Sequence, residues 1–210
     1  MEYPPEPWHL GGHLLISAFR VPPAELPDGF LDAVPDGHRP AITGGRATVL
    51  AAFAHYRPGG VLAYEELLVA VAVLAGRALR STIPLIWVTS EASLRGGREL
   101  WGIPKQLAAI ERAGGRTAAA IDGREFAALQ ARVGRRLWPG SPGVPVETAQ
   151  RLDGRRVIAR NTVFAAVRAL DATWDFAADG PLGFLAGRSP LLSLALDDAA
   201  IVFGRDVERR

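Results

Sequence analysis

The sequence predicts a mainly antiparallel β domain with one or two short helices, folded as a barrel or as a pair of packed sheets. Three observations carry this prediction. Short apolar runs recur from end to end, punctuated by 23 glycines and 16 prolines. Turn dipeptides of hairpin type separate several of those runs. Only one stretch, residues 90–100, changes to helical spacing with a capping residue at its start.

Taken in order, "HLLISAFRV" reads as a strand, and Val21 to Pro40 as turn-rich with room for one short helix. "ATVLAAFAHY" (47–56) and "GVLAYEELLVAVAVLAG" (60–76) flank "RPGG" as a hairpin, and "STIPLIWVTS" (81–90) is a further strand. In "SEASLRGGREL", Ser90 is a candidate N-cap and Glu91 suits the first turn, while Gly96-Gly97 weakens the helix. The next segment divides at "AGG" and at Asp122-Gly123, a strong two-residue hairpin turn. "WPGSPG" around Ser141 is a turn without the spacing of a nucleophile elbow. "RVIARNTVFAAVRALDATW" is a strand with room for a helix, and "SPLLSLALDDAAIVFG" a strand pair turning at Asp197-Asp198.

Composition sets the outer limits. At 210 residues, 49% hydrophobic and 22% charged, the chain is expected to form a single globular domain over 1–210. Net charge is +2 and no basic stripe is interleaved with aromatics, which argues against nucleic acid as a partner. Zero cysteines exclude disulfides, thiolate catalysis and cysteine-based zinc sites. His9 and His13 are four apart, but Gly11-Gly12 lies between them, so a metal-binding helix is not expected; His38 and His55 add no pattern. The N-terminus does not read as a signal peptide. The longest apolar run, Leu67 to Gly76, is too short for the about 20 residues of a membrane helix. A cytoplasmic protein that does not engage the membrane is therefore expected.

Of the 24 cationic residues, Lys105 is the only lysine. Lysine can lose a proton, attack a carbonyl and form a Schiff base, which arginine cannot. Its neighbours Trp101, Ile103, Pro104 and Leu107 are apolar, and no acid adjoins it in sequence. A surface lysine is the commoner state of this residue type; the setting here points instead to a nucleophile.

"GRELWGIPKQLA" (97–108) resembles the signature of the acetoacetate decarboxylase superfamily, a Gly-Arg-Glu stretch leading into Pro-Lys. The resemblance implies an antiparallel sheet closed into a cone-like β-barrel with a few short helices, in a homo-oligomer. It implies Lys105 as the Schiff-base residue, and, through "LAYEEL" (62–67), Glu66 as the active-site glutamate. It also implies a lyase acting on a small or medium keto acid, foremost by decarboxylation of a β-keto acid through an iminium and an enamine, with no metal or organic cofactor; an aldolase-dehydratase or cyclase of the same superfamily is the alternative. Aldol condensation and dehydration use the same intermediates.

Adjacent residues on a strand face opposite sides, so only one of Glu65 and Glu66 can face a cavity; Glu66 shares its side with Tyr64 and Leu68. Tyr64 is accordingly a candidate substrate contact. Trp87, Trp101 and Ile103 are candidate pocket walls, with core packing as the alternative. Arg98 is a loop-fixing residue by its pairing with Glu99, with a secondary candidacy for orienting substrate. Gln106 could bond a substrate oxygen or face away. Three positions depart from the decarboxylase pattern. Gln106 replaces a second lysine, "ATVLAAFAHY" lacks a second glutamate, and "WHLGGH" lacks the substrate-carboxylate arginine, for which Arg20 is the nearest substitute. These departures favour the aldol-type branch, or a homologue that binds a carbonyl compound without turning it over.

Overall fold

The structure is a computed structural model that describes residues 2–137 and 139–210; Trp138, in the expected 138–143 turn, lies outside the described residues. In chain order the elements are β1 (Trp8–Val21), β2 (Arg39–Pro40), β3 (Ile42–Thr43), β4 (Arg46–Tyr56), β5 (Tyr64–Ala75), β6 (Ala78–Val88) and α1 (Glu91–Trp101). There follow β7 (Lys105–Leu107), β8 (Ala109–Ala113), β9 (Arg116–Ile121), β10 (Arg124–Arg136), β11 (Gly143–Leu152), β12 (Arg155–Phe176) and β13 (Leu192–Arg209).

The strands form one sheet whose path runs β11-β6-β5-β4-β1-β13-β12, and β11 also pairs with β12. That last pairing closes seven strands into a ring, the expected barrel. Beyond it, β10, β9 and β8 continue from the second half of β12 and fold over the outer face of the ring. The two sheet faces bury separate cores. Phe19, Val49, Phe53, Leu67, Val69 and Leu129 pack between ring and overlay. Trp8, Tyr56, Tyr64, Ile86, Trp101 and Ile201 pack inside the ring. Because β4 and β5 are covered on both faces, their sequences read as nearly unbroken apolar runs rather than as alternation.

The ring closes at its weakest point between β6 and β11, where one parallel pair, Ser81 with Thr148, is registered. Side chains complete this seam. Gln150 acts as a surrogate peptide: its Oε1 accepts from Ile83 N at 2.9 Å and its Nε2 donates to Ile83 O at 3.0 Å. Thr82 Oγ1 donates to Ala149 O at 2.8 Å. Glu147 binds Arg80 Nε at 2.6 Å on one side and Arg160 Nε at 3.2 Å on the other, tying β6 to β12 across β11. The two guanidinium partners, Arg80 foremost, hold the Glu147 carboxyl below the usual carboxylate range.

Three local expectations are corrected. The stretch expected to hold a helix, 156–174, is strand throughout: β12 is 22 residues long and pairs with β10, β11 and β13, so lateral bonding overrides its local preference. Asp197-Asp198 is not a hairpin turn. It lies within β13, with Asp198 at φ 46°, where the registers with both β1 and β12 shift. A bulge and a turn both call for a residue tolerant of the left-handed region, so the sequence signal does not tell them apart. Between Val21 and Pro40 the chain makes two short 3-10 turns, Pro23–Glu25 and Phe30–Ala33, in place of one helix. Asp122-Gly123 makes the β9–β10 hairpin with both residues at positive φ.

Candidate active site

Ser90 caps α1 by accepting a hydrogen bond from Ser93 N at 3.2 Å, and Gly102, at φ 67°, ends it. The helix runs through Gly96-Gly97 despite their low propensity because both glycines are packing positions. A Cβ on Gly97 would meet the Lys105 stem, and one on Gly96 the Trp8 indole, each below 3.0 Å. After the cap, Ile103 N donates to Gly97 O at 3.0 Å, and Pro104 leads into β7. β7 lies parallel to β6 with Lys105 opposite Ile86. Arg98 reaches forward from the helix, and its Nε donates to Lys105 O at 2.7 Å. The lysine backbone is thus held from both sides, with its side chain laid across the glycine face of α1.

Lys105 is 4% exposed. Its Nζ donates to Glu66 Oε2 at 2.8 Å, Ser93 Oγ at 2.8 Å and Tyr64 OH at 3.3 Å. Three acceptors match the three protons of an ammonium. It also lies 5.2 Å from the centre of the Tyr64 ring and 5.8 Å from that of Trp8. Glu66, also 4% exposed, accepts in addition from Tyr56 OH at 3.2 Å and Tyr64 OH at 3.3 Å. The tyrosines face each other across the β4–β5 hairpin. Burial first, then the Glu66 charge, pushes both phenols well above their ordinary pKa, so they remain protonated donors.

These groups occupy one end of a pocket of about 190 Å³ inside the ring, to which all seven ring strands contribute side chains. The arrangement offers a buried amine, a carboxylate in contact with it and two fixed hydroxyl donors, opening onto an apolar chamber. An amine with a proton acceptor at hydrogen-bond distance is equipped for carbonyl addition.

The family model described as acetoacetate decarboxylase (ADC) matches residues 1–160. The chain belongs to the acetoacetate decarboxylase family. No curated protein matches it. Among solved structures it resembles the acetoacetate decarboxylase of Legionella pneumophila subsp. pneumophila str. Philadelphia 1, with a TM-score of 0.70 and 15% identity over 100% of this chain and 89% of that one. An acetoacetate decarboxylase-like enzyme from Sphingomonas wittichii RW1 also has a TM-score of 0.70, with 19% identity over 97% and 92% of the two chains. The enduracididine biosynthesis enzyme MppR, complexed with pyruvate, gives 0.64 and 19% over 98% and 91%. At these identities the likeness is one of fold.

In this acetoacetate decarboxylase family member, Lys105, Glu66, Tyr64, Trp101 and Ile103 all line the pocket. Four other residues expected to touch substrate lie elsewhere. Trp87 is on the opposite face of β6, its ring tilted against Phe126 in the outer core, as strand alternation from Ile86 requires. Gln106 alternates away from Lys105 and is exposed, and Arg98 is turned to the Lys105 backbone; both border an outer groove with Pro104. Arg20 bonds the carbonyls of Thr43 and Arg46 at the far end of β1. Sequence reasoning missed Tyr56 and Ser93 as members of the cluster. Tyr56 is the cross-strand partner of Tyr64 in a hairpin that the sequence does signal. Ser93 lies one helical turn before Gly97, so both were accessible from registers alone.

Glu65 faces the other way, into a separate cavity of about 400 Å³ between ring and overlay. There it contacts His55 Nδ1 at 2.5 Å, and His13 Nδ1 contacts Asp197 at 2.6 Å. The two imidazoles, directly opposite on β1 and β4, stack at 6.4 Å.

Proposed function

We propose that the protein is a Schiff-base-forming carbon–carbon lyase in which Lys105 is the nucleophile and Glu66 the proton shuttle. The observation that carries this reading is the 2.8 Å contact between the buried Lys105 Nζ and Glu66 Oε2 at the end of a pocket. Glu66 takes a proton from the ammonium. The free amine then adds to the substrate carbonyl, and loss of water gives an iminium. In a β-keto acid the bond to the carboxylate breaks, its electron pair enters the enamine, and CO2 leaves. The dehydration takes back the proton held by Glu66, so Glu66 takes up a second proton from water and delivers it to the enamine carbon; addition of water to the resulting iminium then releases the ketone and the amine. Tyr56 and Tyr64 keep Glu66 in place through both transfers.

An aldol-type reaction is the second reading. It is favoured because, among the described residues, no arginine lines the pocket to hold a carboxylate. The enamine would then attack an aldehyde instead of being protonated.

Borohydride reduction in the presence of a keto-acid panel, read by intact and peptide mass, tests the common step. An adduct on the Lys105 peptide, absent in Lys105→Ala, supports it. A native-like Lys105→Ala variant with unchanged turnover would reject it and leave a carbonyl-binding homologue. CO2 release against carbon–carbon bond formation separates the two branches.

A further inference from the structure

The pocket walls are hydrocarbon apart from seven polar side chains, four of which belong to the Lys105 cluster. The other three are Ser81, Thr148 and Asn161. Asn161 is consumed: its Oδ1 accepts from Gly204 N at 2.7 Å and its Nδ2 donates to Ala159 O at 3.3 Å. Ser81 Oγ donates to Glu147 O at 3.4 Å. Thr148 differs. It is 4% exposed, and its Oγ1 has no hydrogen-bond partner among the described residues. A buried hydroxyl left without a partner is costly, and the cost is removed when a ligand supplies one.

Charge adds a second constraint. Among the described residues, Lys105 is the sole cation lining the pocket, and Glu66 already matches it. An anion that must stay bound finds no counter-charge. Position adds a third. On β6, Ser81 pairs with Thr148 and Ile86 pairs with Lys105. The five residue steps from Ser81 to Ile86 span about 16 Å of strand at ~3.3 Å each. Amine and hydroxyl therefore stand toward opposite ends of the chamber.

We infer that the substrate is a carbonyl compound with an extended apolar body and a second, uncharged oxygen, a hydroxyl or ketone several carbons away, that hydrogen-bonds Thr148 Oγ1. This rests on Lys105 as the carbonyl end. Two- to four-carbon keto acids, pyruvate and acetoacetate among them, are too short to reach both groups. Leu10, Leu14, Leu50, Leu68, Val163 and Ile201 would enclose the body. A site built to bond an oxygen discriminates strongly against the analogue that lacks it.

The test has two arms. In the first, borohydride adducts at Lys105 are titrated with pyruvate, 2-nonanone and 8-hydroxy-2-nonanone. Half-saturation is expected at least tenfold lower for the hydroxyketone than for the plain ketone, with pyruvate weakest. Thr148→Val should abolish the hydroxyl advantage without changing the plain ketone, and Thr148→Ser should retain it. In the second arm, 1-nonanol binding is followed by the fluorescence of Trp8 and Trp101, which needs no Schiff base. Thr148→Val should weaken it about tenfold. If adducts form but neither arm responds to Thr148, or if pyruvate binds as tightly as the hydroxyketone, the inference is overturned. If no adduct forms with any probe while nonanol still responds to Thr148, the Lys105 mechanism fails and the recognition by Thr148 stands.

Discussion

A Cβ added to Gly97 would lie 2.7 Å from Cδ of Lys105. The helix can pass Lys105 only because residue 97 has no side chain. Gly97→Ala must therefore displace the lysine stem, and with it the three-acceptor arrangement at Nζ. We predict at least a tenfold loss of adduct formation at Lys105, with the circular dichroism spectrum retained. Gly96→Ala, whose Cβ would lie 2.4 Å from the Trp8 ring, should act on stability, by about 1–3 kcal/mol of overpacking. Thermal melts and adduct titrations on both variants separate the roles, and equal effects in both assays would refute the assignment.

The Lys105–Glu66 pair is buried on both sides, at 5% side-chain exposure each. Breaking one partner leaves a charge with no solvent. Lys105→Met should cost about 3 kcal/mol, and adding Glu66→Gln should recover much of it, because the double variant buries no charge. Urea unfolding of the four members of the cycle measures the coupling. Simple additivity would mean that the pair is not coupled in solution.

Tyr56 and Tyr64 give an alkaline signature. Burial raises both phenols, so the folded state holds these protons more tightly than the unfolded chain. Stability from this source is complete below the ordinary tyrosine pKa of about 10 and is lost as pH rises beyond it. Tyr56→Phe should flatten the fall in melting temperature above pH 10. An unchanged alkaline limb would show that the phenols titrate normally.

Glu147 gives the opposite sign. Its carboxyl is lowered by Arg80 and Arg160, so its contribution is present above the ordinary carboxylate pKa and disappears as pH falls through the folded value. Glu147→Gln should cost up to about 1 kcal/mol at neutral pH and clearly less at pH 3. Denaturant midpoints at the two pH values provide the comparison.

Gln150 should matter more than Glu147. Gln150→Leu strips partners from both the N–H and the C=O of Ile83 at the seam. A loss of about 2–3 kcal/mol is expected, since buried backbone groups would go unpaired. A loss below 0.5 kcal/mol in equilibrium unfolding would mean that the β6–β11 contact is not structural.

The sequence made Lys105 legible as a candidate because a lone lysine after proline stands out against 23 arginines. Strand alternation correctly sent Glu66 and Glu65 to opposite faces. What the sequence did not disclose depended on registers between distant strands. Thr148 enters the pocket because β11 meets β6 at Ser81, and no local signal announces a pairing across 67 positions. His13 and His55 carry no shared motif, yet strand pairing places them in direct opposition. Arg20 lies away from the pocket for a related reason: being near the right segment says nothing about which end of a 14-residue strand reaches the chamber. Gly96-Gly97 was read through propensity, which describes an isolated helix; what decides those positions is the indole and the lysine packed against them.

Because neighbouring glutamates of β5 face separate cavities, the β4–β5 turn (57–63) sets which carboxylate meets Lys105 although it touches neither. Inserting or deleting one residue there would advance β5 by half a pleat. An insertion would bring Glu65 to the place of Glu66 beside the amine, whereas a deletion would bring Glu66 to the place of Glu65 beside His55. The placement of the two carboxylates is in that sense phase-encoded: a loop of altered length changes which of them faces Lys105 as surely as a substitution in β5 would.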